Sequence, residues 1–293
     1  MAIRTVVLPV AGMGTRFLPL TKAVPKEMLP IVDRPIIAYI AGEAVASGVD
    51  RVVLVTARGK GAIEDYFDRS PELERHLESQ GKLDLLAAVR EAGRMAEVVS
   101  VRQREILGLG HAVLCARAAV GDQDPFAVML GDEVMSTDPP ALQRLIDVHH
   151  QTGGSVIGLV PVPTDQTHRY GICAGPETGP GRLRVDTMVE KPRAGTSPGN
   201  LAIIGRYICT PDIWPDLAAT KPGAGGEIQF TDALAKQAAL GRMTGIVLTN
   251  TRFDTGNPLG LLQAALHFSH GRPELRAGVR ALAREVLALP EDA

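Results

Sequence analysis

The stretch Val6-Val7-Leu8-Pro9-Val10-Ala11-Gly12-Met13-Gly14-Thr15-Arg16, followed by Pro25-Lys26-Glu27-Met28-Leu29-Pro30, decides the reading of this chain. Its apolar start predicts a short strand. The strand opens into a loop whose glycines at 12 and 14 remove the side chains that would keep backbone N–H groups away from an anion. Arg16, Lys22 and Lys26 add positive charge, and the prolines on either side of Lys26 stiffen the loop that carries it. Strand, glycine loop and fixed cations in that order predict a nucleoside triphosphate site. The two familiar phosphate motifs do not fit: the dinucleotide fingerprint wants a glycine where Phe17 stands, and the P-loop ending Gly-Lys-Ser/Thr is missing. Taken alone, Gly-x-Gly is a tight turn; the cations and prolines gathered around it point to a site.

Outward from this stretch, β-type runs alternate with amphipathic segments. Strands are expected at 4–10, 51–56, 97–102, 126–131 and 155–162, and helices at 35–47, 60–67, 109–119 and 139–151. Runs such as Val52-Val53-Leu54-Val55 are continuous rather than alternating, as in strands covered by helices on both faces. The fold class is therefore α/β, a layered sheet flanked by helices. Past 162 the texture changes: turn-rich 174–182, a strand at 183–190, a loop at 192–199, a strand at 201–208 and a helix around 228–240. This part reads as strands and loops laid over the sheet's edge. Helices at 257–269 and 273–288 close the chain. The organisation expected is a single domain over 1–293, with a nucleotide half at 1–162, a second half at 163–256 and C-terminal helices from 257.

At 293 residues and 45% hydrophobic, the chain can bury a sizeable core. Its 31 basic and 33 acidic residues give no global attraction to nucleic acid or an anionic membrane, so any phosphate site is a local concentration of charge. Cys115, Cys173 and Cys209 are odd in number and lack metal-ligand spacing, which fits a reducing, cytoplasmic setting. No window approaches a membrane span and no long apolar leader follows Arg4, so a soluble protein is expected.

The opening motifs, with Val32-Asp33-Arg34-Pro35, Val101-Arg102-Gln103, Gly108-Leu109-Gly110-His111, Leu130-Gly131-Asp132-Glu133, Arg169-Tyr170-Gly171-Ile172, Val189-Glu190-Lys191-Pro192, Asn200 to Tyr207, Gly223 to Gln229 and Asp254-Thr255-Gly256-Asn257, resemble the sugar-phosphate nucleotidylyltransferases across nearly the whole chain. The resemblance implies a Rossmann-like nucleotidyltransferase fold with a mixed, mostly parallel sheet and a sugar-binding layer of strands and loops. It implies transfer of the uridylyl group of UTP to glucose 1-phosphate, giving UDP-glucose and pyrophosphate, with Mg²⁺ as cofactor and a homodimer or homotetramer as the assembly. Two alternatives stand beside this: a thymidylyltransferase for the same sugar phosphate, and a non-catalytic regulatory paralogue that binds UDP-sugar.

Residue by residue, the resemblance places Ala11, Gly12, Gly14 and Thr15 around the triphosphate, with Arg16 and Lys26 on the transferred and leaving phosphates and Glu27 orienting Lys26. Gln103 carries both amide donor and acceptor for a uracil edge, and Gly108 allows backbone close to the base. Asp132, at the carboxyl end of a strand, and Asp254 become the metal carboxylates, a hard oxygen pair suited to Mg²⁺. Gly171, Glu190, Asn200 and Gly205 line the sugar site, and Lys191 takes its phosphate and joins Arg16 and Lys26 as a catalytic group. Adjacent Glu190 and Lys191 on a strand point to opposite faces, so a twist or bulge before Pro192 is required if both reach one ligand. Gly131-Asp132-Glu133 departs from the Pro-Asp-Val usual among the uridylyl enzymes, and the role of Glu133 is open.

Overall fold

The strand Thr5–Pro9 sits in the middle of the sheet, paired in parallel with Arg51–Thr56 on one side and Phe126–Met129 on the other. This computed structural model describes residues 2–136 and 138–290. Beyond Arg51–Thr56 lies Glu97–Arg102, again parallel. On the opposite side Leu201–Cys209 runs antiparallel to both Phe126–Met129 and Ser155–Pro161, and Met243–Val247 follows Ser155–Pro161 in parallel. In the central run only Leu201–Cys209 is reversed, so the sheet is mixed with a mostly parallel core. The loops after Pro9 and Met129 both leave at the carboxyl edge, where open α/β sheets bind ligands.

Side-chain alternation explains the continuous apolar runs. Val6, Leu8, Val52, Leu54, Ala127 and Met129 pack into the core on one face, while Val7, Val53, Val55, Phe126 and Val128 pack on the other. The helix Ile36–Ala46 begins directly after Pro35, which already has a suitable φ, and buries Ile36, Ile37, Ile40 and Ala44 against the first face. No helix among the described residues is long and apolar enough to cross a membrane.

The structure departs from the sequence reading in several places. The strand expected at 183–190 is two: Arg182–Arg184 extends the sheet beside Met243–Val247, and Thr187–Glu190 pairs with Gly171–Ala174. Between them Val185 N–H donates to the Met243 carbonyl and Asp186 N–H to the Ala174 carbonyl, so the chain changes partner at that point. The helix expected at 109–119 breaks at Ala116 into Leu109–Cys115 and Arg117–Val120. Two helices, Pro71–Ser79 and Leu83–Ala92, and the strand Met243–Val247 were not anticipated. The segment 163–256 does more than cover the edge, because Leu201–Cys209 and Met243–Val247 are strands of the sheet itself.

One buried ion pair crosses these layers. Arg206, with no solvent exposure, donates from Nε and Nη2 to the Glu43 carboxylate at 3.0 and 2.7 Å. Glu43 comes from the first long helix and also accepts the Leu142 N–H, at the start of helix Ala141–Thr152. Arg206 Nη2 also donates to the Glu133 carbonyl at 2.6 Å, and Nη1 to that of Gly205 at 3.2 Å. Every polar end is met, which is the condition for a buried pair to be tolerated. Arg206→Met should cost about 3–5 kcal/mol, the usual result of leaving one buried charge unpaired. Urea denaturation checks this, and adding Glu43→Gln in the same chain should recover part of the loss.

Candidate active site

The glycine loop is folded around Lys26. Gly14 lies in the left-handed region at φ +67°, and a Cβ there would stand 3.2 Å from both Lys26 Cβ and Thr21 Cγ2. Its carbonyl accepts the Thr21 hydroxyl at 2.8 Å and the Phe17 N–H at 3.0 Å, closing the single turn Thr15–Phe17. Gly12 is exposed, with its Cβ position 3.9 Å from Lys26 Cε, and Ala11 is buried at the end of the strand. Lys26 starts a second short turn, Lys26–Met28, and donates from Nζ to Asp132 Oδ2 at 2.6 Å. Burial opposes its charge, yet Asp132 and Glu27 together hold the Lys26 pKa above its ordinary value. Glu27 does not bond Lys26; its Oε2 accepts from Lys60 Nζ at 2.7 Å, with both side chains buried.

Asp132 and Asp254 come together through a short ladder. The strand Arg252–Asp254 pairs antiparallel with Glu133–Met135, and Asp254 stands opposite Glu133. The Thr255 N–H and hydroxyl both donate to the Asp132 carbonyl, at 2.9 and 2.8 Å. The position a Cβ on Gly256 would fill lies 2.7 Å from Asp132 Oδ2, 3.1 Å from Asp254 Oδ1 and 3.2 Å from Arg16 Nη1. Two carboxylates and a guanidinium thus converge on one glycine, whose carbonyl accepts from Arg16 at 3.1 Å. Burial pushes the Asp132 pKa up, but Lys26 and then Arg16 outweigh it and hold the carboxyl below its ordinary range.

Beside this cluster opens a cavity of about 480 Å³ whose wall includes Arg16, Asp132, Gly171, Glu190, Lys191 and Asp254. Lys191 takes a left-handed backbone, φ +44°, directly after the strand Thr187–Glu190. That turn brings Glu190 and Lys191 to one cavity, with Lys191 Nζ 3.5 Å from Glu190 Oε1. Such a φ is costly for a residue with a Cβ. Glu190 Oε2 accepts from Thr231 Oγ1 at 2.8 Å and stands 2.9 Å from where a Cβ on Gly171 would be, so glycine makes room for the carboxylate. Arg252 forks onto Glu133 at 2.7 and 2.6 Å and lies over the Tyr170 ring, 5.3 Å from its centroid. A site lined this way can hold two anions side by side and offer carboxylates to sugar hydroxyls.

A family model described as nucleotidyl transferase matches residues 5–270. The chain belongs to this family. The UTP–glucose-1-phosphate uridylyltransferase of Bacillus subtilis is 50% identical over 275 residues, 94% of each chain. The protein of the same name from Staphylococcus epidermidis is 43% identical over 284 residues, 97% of this chain and 98% of that one. Among solved structures, the UTP-bound UGPase of Acinetobacter baumannii superposes with a TM-score of 0.86 at 39% identity, covering 99% of this chain and all of that one. A UDP-glucose pyrophosphorylase complexed with UDP-glucose gives 0.83 at 39% identity over 92% of this chain and 100% of that one.

In this nucleotidyl transferase some of the residues singled out from sequence lie away from the cavity wall. Gln103 is buried after the strand Glu97–Arg102; its Nε2 donates to the Gly108 carbonyl at 3.1 Å and lies 3.0 Å from His111 Nδ1. Gly108, at φ +100°, makes its close approach to protein: a Cβ there would meet Glu227 Cβ at 2.7 Å and the Ile228 carbonyl at 2.9 Å. Asn200 is exposed, and its carbonyl accepts the Val162 N–H. Gly205 forms a bulge in its strand at φ +70°, where a Cβ would strike Leu130 at 2.7 Å. Its carbonyl accepts the Leu130 N–H, so it shapes the approach to Asp132. Sequence reasoning did not single out Thr231 or Arg252. Thr231 carries no signal, whereas Arg252 stands two residues before Asp254.

Glu133 is a third carboxylate in this corner. Burial, with repulsion from Asp132 and Asp254, pushes its pKa up to about 7 despite Arg252. A raised carboxyl binds more protons folded than unfolded, so its stabilising contribution is present below about pH 4.5 and lost as pH rises through about 7. Wild type should therefore lose stability relative to Glu133→Gln across that window, as paired thermal melts at stepped pH would measure.

Proposed function

We propose that this chain transfers the uridylyl group of UTP to glucose 1-phosphate, forming UDP-glucose and releasing pyrophosphate. The observation that carries the reading is the meeting, at one cavity, of a phosphate-type cluster with a sugar-phosphate-type pair. Arg16 and Asp132 stand on the first side, Glu190 and Lys191 on the second. The two full-length uridylyltransferase relatives support the choice of nucleotide and sugar.

Both reactants are anions, so the work is to overcome repulsion, align the reacting oxygens and hold the departing charge. A phosphate oxygen of glucose 1-phosphate attacks the α-phosphorus of UTP. The bond from that phosphorus to the bridging oxygen breaks, and pyrophosphate leaves with the electron pair. Backbone at Ala11, Gly12, Gly14 and Thr15 lies along the triphosphate, and Arg16 and Lys26 stabilise the charge that builds on the leaving side. Lys191 holds and aligns the attacking phosphate while Glu190 accepts from glucose hydroxyls in the space left by Gly171. With Nε2 on Gly108, the Gln103 amide oxygen is the acceptor offered to a uracil N3–H.

Asp132 and Asp254 fit Mg²⁺. They are hard oxygen donors converging on one point, and among the described residues no cluster of three or more His, Cys, Asp or Glu forms a complete protein cage. Mg²⁺ takes one or two carboxylates and completes its shell with phosphate oxygens and water. Bound there it would neutralise phosphate charge. Self-association is supported by helix Pro273–Leu287, which buries no residue in the single chain and exposes Leu282, Val286 and Leu287.

The test is pyrophosphate release with glucose 1-phosphate and Mg²⁺ across UTP, dTTP, CTP and ATP; a preference for any base but uracil sinks the reading. Lys26→Ala should lower turnover by about 10²–10³-fold, as loss of one transition-state donor does, with UTP binding changed far less. Steady-state kinetics and a UTP titration separate the two. Asp132→Asn and Asp254→Asn should each lose activity and require more Mg²⁺, with partial recovery in Mn²⁺. A folded Asp254→Asn enzyme with wild-type rate and metal dependence would remove Asp254 from the metal site.

A further inference from the structure

The pair formed by Lys60 and Glu27 has no part in the chemistry above, yet it is buried directly behind it. Glu27 follows Lys26 in the same short turn, and its side chain goes inward, 1% exposed, while Lys26 goes to Asp132. Its Cγ lies 3.4 Å from where a Cβ on Gly131 would be, so the carboxylate's stem packs against the glycine preceding Asp132. Lys60, at the start of helix Gly61–Phe67, is 7% exposed and donates to Glu27 Oε2 at 2.7 Å. Glu27 Oε1 is buried with no hydrogen-bond partner among the described residues.

We infer that Lys60 is a positioning residue for Lys26: by holding the Glu27 carboxylate, it leaves the Lys26 ammonium to Asp132 and the triphosphate. The inference rests on the role given to Lys26 above. Lys26 lies between two carboxylates. Asp132 is the productive partner, at the mouth of the site; Glu27 is the unproductive one, adjacent in sequence and carrying an open acceptor. A buried carboxylate with one cation is tolerated, and the same carboxylate without it seeks another. If Lys60 lost its charge, the next cation at hand would be Lys26, which would be drawn inward and off Asp132. Lys60 is buried and is not part of the cavity wall, so its effect passes through the orientation of Lys26.

The experiment is steady-state kinetics with UTP, glucose 1-phosphate and Mg²⁺ on wild type, Lys60→Met, Lys60→Arg and the double variant Glu27→Gln/Lys60→Met, each checked for folding by circular dichroism. Wild-type turnover comes first: its absence would sink the functional reading, whereas the comparisons among variants judge this inference alone. Lys60→Met should lose about tenfold to a hundredfold in kcat with KM for UTP within about threefold, because an interaction strengthened in the transition state is lost. Lys60→Arg should keep most of the rate. The double variant, in which the competing charge is gone, should return to within about fivefold of wild type. A merely structural loosening would raise KM along with the loss in kcat and would leave the double variant no faster than Lys60→Met. Wild-type kcat in Lys60→Met, or a hundredfold loss in the double variant, overturns the inference. Should Lys60→Met not fold, the double variant decides by itself, since it carries no unpaired buried charge.

Discussion

The salt bridge between Glu43 and Arg206 joins parts of the chain that local sequence leaves independent. Arg206 belongs to the reversed strand, Glu43 to the helix after the glycine loop, and the carbonyl that Arg206 also holds belongs to Glu133, one residue past Asp132. The helix Ala141–Thr152 is pinned to the same carboxylate through the Leu142 N–H. The backbone that presents Asp132 is thus held from inside by a guanidinium with several donors at fixed angles, which a lysine could not reproduce. A charge pair in the core is expensive to bury, and its return here is geometric: the strand, the helix and the turn cannot shift separately.

The same economy of few, strong contacts runs through the site. Three cations of the site each have a carboxylate or carbonyl that sets their direction: Lys26 has Asp132, Arg16 has the Gly256 carbonyl, and Arg252 has Glu133. Negative substrates enter a place where positive groups are already aimed, so less reorganisation is needed when charge develops. Glu133, a third carboxylate in this corner, is accommodated because Arg252 is there to meet it.

Much of this was legible from sequence where residue type alone decides structure. Val52 to Val55 are buried and Val98, Val99 and Val101 half-buried, so the strands at 51–56 and 97–102 begin and end where they are expected. Met243–Val247 was missed because Thr244 and Gly245 dilute its apolar signal. Gly245 is needed there, as a Cβ would come within 2.6 Å of Leu159 Cδ1. The helices Pro71–Ser79 and Leu83–Ala92 bury little beyond Leu77 and Leu86, which leaves too narrow a stripe to stand out. Asp132, Asp254, Glu190 and Lys191, which residue identity picks out, all line the one cavity, and the bend that Glu190 and Lys191 need before Pro192 is present as the left-handed Lys191. Partnerships were not readable: Lys60 looks like a solvated turn lysine, and Gln103 like a free amide, until the tertiary fold supplies Glu27 and the Gly108 carbonyl.

The seam between the two halves of the chain is written in backbone. Ile228 N–H donates to the Leu107 carbonyl and Gly110 N–H to that of Ile228, while Gly108 and Gly110 sit against residues 227–229 with no room for a side chain. Tolerance to substitution along this seam should therefore be lopsided. Its glycine side is fixed by atoms common to every residue opposite, so positions 227 and 228 are free to drift in identity while 108 and 110 are not. A lineage could retune the 223–229 loop and leave its joint to the 107–110 loop untouched.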